Sequence, residues 1–117
     1  MNYYYYVCPV YTYMQQPIAR DTENPEDVDQ FKKSAVHFIN RTQELNLLLH
    51  HIAYTPKYAE RIKVAASYSQ EEQVLNIIRS IGIQTPVRVN FNPSGINIIF
   101  EPTINEACYD LEVRLCW

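Results

Sequence analysis

Ten tyrosines, three cysteines and three histidines are the oxidisable, nucleophilic and metal-ligating side chains of this 117-residue chain, and they are unevenly placed. Six of the tyrosines, Tyr3, Tyr4, Tyr5, Tyr6, Tyr11 and Tyr13, share the first thirteen residues with Cys8. Four consecutive phenols point in all directions and cannot all bury their rings while pairing their hydroxyls. Residues 1–24 therefore read as an exposed, flexible, adhesive arm. Tyrosine brings broad amphipathic contact area at little cost in side-chain entropy, and phenols can be oxidatively coupled to one another. The chemistry on offer is cohesion and crosslinking.

The cysteines point the same way. Cys8, Cys108 and Cys116 form no CxxC or Cys/His metal spacing, and three thiols cannot all pair within one chain. Cys108 and Cys116 lie eight residues apart on an alternating segment, about 26 Å when extended, beyond disulfide reach of each other. Each is a candidate for a bond to another molecule if its surface is open, or a small inert residue if another layer covers it. Cys8, in the arm, is the foremost candidate.

The remaining groups carry no chemistry of their own. His37 and His51 are fourteen residues apart on one helical pattern, about 21 Å, and His50 and His51 diverge by about 100°. No two share an ion within one chain, so no metal or cofactor is expected. The acidic run Asp21, Glu23, Glu26, Asp27 and Asp29 lacks the glycine and register of a calcium loop, and favourable charge at a helix start accounts for its later members. With only two glycines there is no phosphate loop or nucleophile elbow, and no Ser/His/Asp arrangement presents itself. The reading is of a non-enzyme.

A formal charge of −3 argues against a nucleic-acid partner, which would call for a basic stripe. No apolar run approaches the eighteen residues of a membrane span, and the start lacks the basic and apolar regions of a secretion signal. The chain is thus expected to stay in the cell that makes it. A length of 117 residues suits one folded domain, placed at 25–117 after the break at Pro25.

The elements that position these groups follow from periodicity. Val28, Phe31, Ala35, Phe38, Leu45, Leu49 and Ile52 make a narrow seam on a long first helix, with Thr42 interrupting, and Ile39, Leu47 and Leu48 widen it. Phe31, Phe38, Leu45, Leu48 and Leu49 are the interface candidates, because a helix apolar on two sides buries two sides. Thr55 and Pro56 predict the cap and first position of a second helix to Ala66, with Ala59, Ile62, Ala65 and Ala66 inward. Ser69 and Glu72 read as a capping box for a third, closed at Gly82. The period then falls to two. Val87, Val89 and Phe91 alternate on one strand, Ile96, Ile98 and Phe100 on the next after an Asn92–Gly95 turn. Tyr109, Leu111, Val113, Leu115 and Trp117 share a face of the last, from Cys108 onward. The fold class is α+β: three helices, then a three-stranded antiparallel meander with the helices on one sheet face.

The opening MNYYYYVCPVYTYM, the stretch IIRSIGIQTPVRVNFNPSGINIIF and the closing CYDLEVRLCW resemble the small inner spore-coat proteins of spore-forming bacilli. The resemblance implies a structural protein made in the mother-cell cytoplasm and deposited on the spore coat, with coat neighbours or further copies of itself as partners. It supplies no catalytic residues. The alternative from the residues alone is a small adaptor that grips one protein through the first helix's seam.

Overall fold

The computed structural model describes residues 25–102 and 107–117, so the expectations for residues 1–24 lie outside what is described. Three helices, α1 (Asp29–Tyr54), α2 (Tyr58–Ser67) and α3 (Glu71–Arg79), precede three strands, β1 (Val87–Asn92), β2 (Gly95–Phe100) and β3 (Leu111–Cys116). The strands pair antiparallel in the order β1-β2-β3. This is the α+β meander that the change of period predicts.

The helix boundaries show where local rules compete. α1 ends where Thr55 turns extended, at ψ 124, ahead of Pro56. Thr55 does not cap α2, however. The chain makes a turn closed by the Tyr58 amide on the Thr55 carbonyl at 3.2 Å, and Lys57, left-handed at φ 70, is the residue that enters the helix. The expected Ser69–Glu72 capping box is also absent, because Ser69 is engaged in ending α2. It sits at φ 58, its amide bonds the Ala66 carbonyl and the Gln70 amide bonds the Ala65 carbonyl, both at 2.9 Å. Those two bonds satisfy the last carbonyls of α2 in the Schellman manner. Gln70 then precedes α3 without a side-chain cap.

Opposed residues define the two sheet faces. Val87, Phe100 and Leu111 form one inner row, Val89, Ile98 and Val113 the next, and Phe91, Ile96 and Leu115 the third. These rows pack with Leu48 of α1, Tyr58, Ile62, Ala65 and Ala66 of α2, and Val74, Leu75, Ile77 and Ile78 of α3 in one core. Ala59, expected inside, is exposed. Tyr58 buries its ring and donates its hydroxyl to the Ile77 carbonyl at 3.0 Å. Burial pushes its pKa from 10.0 up to about 12, against a lowering contribution from Arg61.

The hairpin between β1 and β2 is set by Asn92, whose Oδ1 accepts from the amides of Ser94 at 2.7 Å and Gly95 at 3.2 Å. Gly95 is not required here for a positive φ, which among the two glycines only Gly82 has. A Cβ at position 95 would collide with the Leu115 carbonyl oxygen of β3. Trp117 fastens β3 to the same turn through Nε1 on the Asn92 carbonyl at 2.8 Å. The other end of β3 is shorter than its alternation suggests. The Cys108 amide is taken by Ser34 Oγ of α1 at 2.7 Å, and the β2–β3 ladder ends at Phe100 and Leu111.

Two outcomes follow. Gly95→Ala destabilises the fold by about 1–3 kcal/mol in urea denaturation, as an overpacked site does, while Ser94→Ala, on the exposed tip, changes it by less than about 0.5 kcal/mol. Because the folded-state pKa of Tyr58 lies above the value near 10 of the unfolded chain, its contribution is complete below pH 10 and is lost as pH rises towards about 12. Tyr58→Phe therefore shows a shallower fall in stability across that window, measured by denaturation at stepped pH.

Candidate functional site

The surface that α1 leaves open is set by how the helix is seated. Its inward row is Arg41, Leu45, Leu48 and Ile52, spaced by four, three and four, which is one face of a helix. Leu48 is completely buried, and Leu45 and Ile52 are half-buried against the core. Towards the N-terminus the row turns polar. Arg41 donates through Nη1 to Thr85 Oγ1 and through Nε to the Tyr109 hydroxyl at 3.3 Å, and it pairs with Glu44 at 3.5 Å. Glu44 in turn accepts from the Thr85 hydroxyl and from the Gln84 amide, the latter at 3.0 Å. Thr85 is the one buried polar residue among those described, and this network satisfies it. Phe38 meets the Tyr109 ring edge-on, with centroids 5.5 Å apart and planes at 81°.

This seating leaves apolar groups facing solvent. Phe31 is 76% exposed, Val36 57% and Ile39 55%, and Leu47 is exposed as well. Of the interface candidates, Phe31 is the most open, Phe38, Leu45 and Leu49 are half-buried, and Leu48 is used up inside the chain and corrected to a core residue. The seam through Thr42 and Leu49 was offset by about one residue from the true inward row. Val36 joins them outside the predicted seam, since its spacing of three from Ile39 and eleven from Leu47 places all three on one side of the helix.

The outer sheet face carries the other candidates. Its rows are Arg88, Ile99 and Glu112; Asn90, Asn97 and Arg114; and Asn92, Gly95 and Cys116. Arg88 pairs with Glu101 at 2.8 Å, and Arg114, 82% exposed, reaches Glu112 at 3.5 Å. Cys116 is an exposed free thiol in a shallow depression with Asn90, Asn97 and Arg114. Cys108 is disulfide-bonded, and with Cys116 free its partner lies outside the described residues. Tyr3, Tyr4, Tyr5, Tyr6, Cys8, Tyr11 and Tyr13 lie outside them too.

The histidines sit apart from any shared site. His51 bonds the Thr55 hydroxyl at 2.8 Å and lies tilted against the Tyr58 ring, and His50 lies beside Tyr54. Among the described residues no group of three His, Cys, Asp or Glu side chains is placed to hold a metal ion. Nor, among them, is any helix long and apolar enough to cross a membrane.

Comparison with known proteins places this architecture. Residues 28–110 match the family model described as YuzC spore coat inner layer protein. The protein YuzC of Bacillus subtilis (strain 168) is 30% identical over 98 residues, covering 84% of this chain and 78% of that protein. No solved structure matches. The matched span takes in all three helices, β1 and β2, and the buried Thr85 network, while the tyrosine-rich opening precedes it. On a family match across most of its length and on that relative, the chain belongs to the YuzC family of spore coat inner layer proteins.

Proposed function

We propose that this protein is a non-enzymatic building block of the inner spore coat, made in the mother-cell cytoplasm and assembled with copies of itself and with coat neighbours. The folded part, residues 25–117, supplies specific contacts that set register. Residues 1–24 supply multivalent ones through Tyr3, Tyr4, Tyr5, Tyr6, Tyr11 and Tyr13, so that many weak contacts add up once the first has formed. The observation that carries this reading is the pair of surfaces on α1. One face is committed to the core through Leu48 and Arg41, and on the other Val36, Ile39 and Leu47 stand in solvent. Exposed apolar groups gathered on one element are what an association surface presents. The free Cys116, at the hairpin end of the sheet, adds a thiol within reach of a neighbouring molecule.

The test separates the opening segment from the fold. With all six opening tyrosines replaced by serine, the chain keeps its circular dichroism spectrum and thermal midpoint, while its recovery in the insoluble coat fraction of spores drops at least about tenfold, the loss of avidity that removing one of two linked binding modes brings. Undiminished recovery in that fraction contradicts the role given to the phenols.

A further inference from the structure

The two edges of the sheet are not alike. On β1 the inward Val87 and Val89 are buried in the core shared with the helices, and so are Ile96, Ile98 and Phe100 of β2. On β3 the inward Leu111, Val113 and Leu115 pack against the same core yet are only half-buried. The core runs on to the β3 edge without being closed there.

The backbone of that edge follows from the phase of the ladders. The Glu101 amide donates to the Pro86 carbonyl at 3.0 Å and the Trp117 amide to the Ser94 carbonyl at 3.2 Å, one step beyond the paired ends of β1–β2 and β2–β3. Bonded and non-bonded pairs alternate along an antiparallel ladder. Counted from those two bonds, β2 reaches β3 at Leu115, Val113 and Leu111, so the amides and carbonyls of Glu112, Arg114 and Cys116 point away from β2. Among the described residues no hydrogen bond takes them up. Nor is the edge blunted, since β3 holds no proline and both of its charges lie on the outer sheet face.

We propose that β3 pairs antiparallel with β3 of a second copy, about a two-fold axis normal to the sheet at Val113. Charge selects both the occupant and the register. Three two-fold registers bring the outward backbone groups of the strand's middle face to face, centred on Glu112, Val113 or Arg114, and registers further along pair fewer residues. The first sets two Glu112 side chains opposite each other and the last two Arg114. Like charges directly opposed are destabilising, and opposite charges are stabilising. Centring on Val113 sets Glu112 against the copy's Arg114 and Arg114 against the copy's Glu112, each pair exchanging both backbone hydrogen bonds. On the inner side Leu111 then meets the copy's Leu115, and Val113 meets its twin. Two three-stranded sheets become one of six strands, and the half-buried row is covered.

A single six-residue edge is small beside the about 1,200–2,000 Å² that stable interfaces bury, so free chains pair this way only transiently. The contact counts once another holds the copies together. It rests on the reading that copies assemble, and it adds to that reading a second contact on an element separate from α1.

The test is made in the full-length chain carrying Val36→Lys, Ile39→Lys and Cys116→Ser. The apolar side of α1 and the exposed thiol are then out of play, so a failure here is separate from a failure of the α1 reading. Val113→Cys or Arg114→Cys is added, and diamide takes two electrons and two protons from two such thiols as they join. Position 113 faces its own twin at about 4.5 Å between Cα atoms, within disulfide reach, whereas position 114 is offset from its twin by two residues, more than about 8 Å. The disulfide dimer of the Val113→Cys chain, its link placed by mass spectrometry, therefore forms at least about tenfold faster. Exposure alone favours the opposite order, because Arg114 is 82% exposed and Val113 half-buried. A smaller advantage, or none, overturns the proposal. Adding Glu112→Arg or Arg114→Glu to the Val113→Cys chain slows capture at least about fivefold, and mixing the two restores it to within about twofold as a mixed dimer, since opposite charges face each other again. Weaker slowing, or a mixture that stays slow, overturns it too.

Discussion

The seating of α1 on the rest of the chain is the constraint on which the other features depend. A 26-residue helix is longer than the six-residue strands beside it, so it cannot be covered along its length. Its C-terminal half is held by apolar burial at Leu45, Leu48 and Ile52, and the stretch before it by the Arg41–Glu44–Thr85–Tyr109 network. The two kinds of contact act together. Burial fixes the depth of the helix, and the directional bonds of a guanidinium and a carboxylate around one hydroxyl fix its rotation. With rotation fixed, Val36, Ile39 and Leu47 must face outward, and Ser34 must meet the Cys108 amide.

The same logic explains why the shorter elements are so fully buried. α2 and α3 contribute eight buried side chains between them, from Tyr58 to Ile78, and close the inner sheet face that α1 cannot reach. Small residues at Ala65 and Ala66 bring α2 close to its neighbours, and Tyr58 ties α2 to α3 through the Ile77 carbonyl, a bond that also raises the cost of exposing that ring. At the far end of the sheet, Asn92, Gly95 and Trp117 lock the three strands into one register. A scaffold of this kind holds its outer surfaces in a fixed relation, which is what a coat component needs if many copies are to meet in one geometry.

Most of the fold was legible because periodicity reports burial locally. Val74, Leu75, Ile77 and Ile78 were marked as the inward side of a helix and all four are buried, and the alternation of Val87, Val89, Ile96, Ile98 and Phe100 gave the inner sheet face. The errors arose where one residue had two possible tasks. Ser69 looks like the start of α3, yet ends α2 instead, and the proline at position 56 suggested a helix start where the chain makes a turn. The outward side of α1 was harder to see. Nothing local marks Arg41 and Glu44, because their partner Thr85 lies more than forty residues away and no pattern within the helix announces it. Without that network the seam through Thr42 and Leu49 sits to one side of the true inward row, and Leu48, which belongs to that row, stands among the interface candidates.

The central claim is that the apolar side of α1 left open by this seating is where copies of the chain meet. Light scattering of the full-length protein over a hundredfold range of concentration, beside a Val36→Lys, Ile39→Lys chain, tests it most directly. The account predicts a mass that rises above the monomer with concentration in the parent and stays monomeric in the double variant, with both folded. A parent that remains monomeric throughout, or a double variant that associates as strongly, would contradict it.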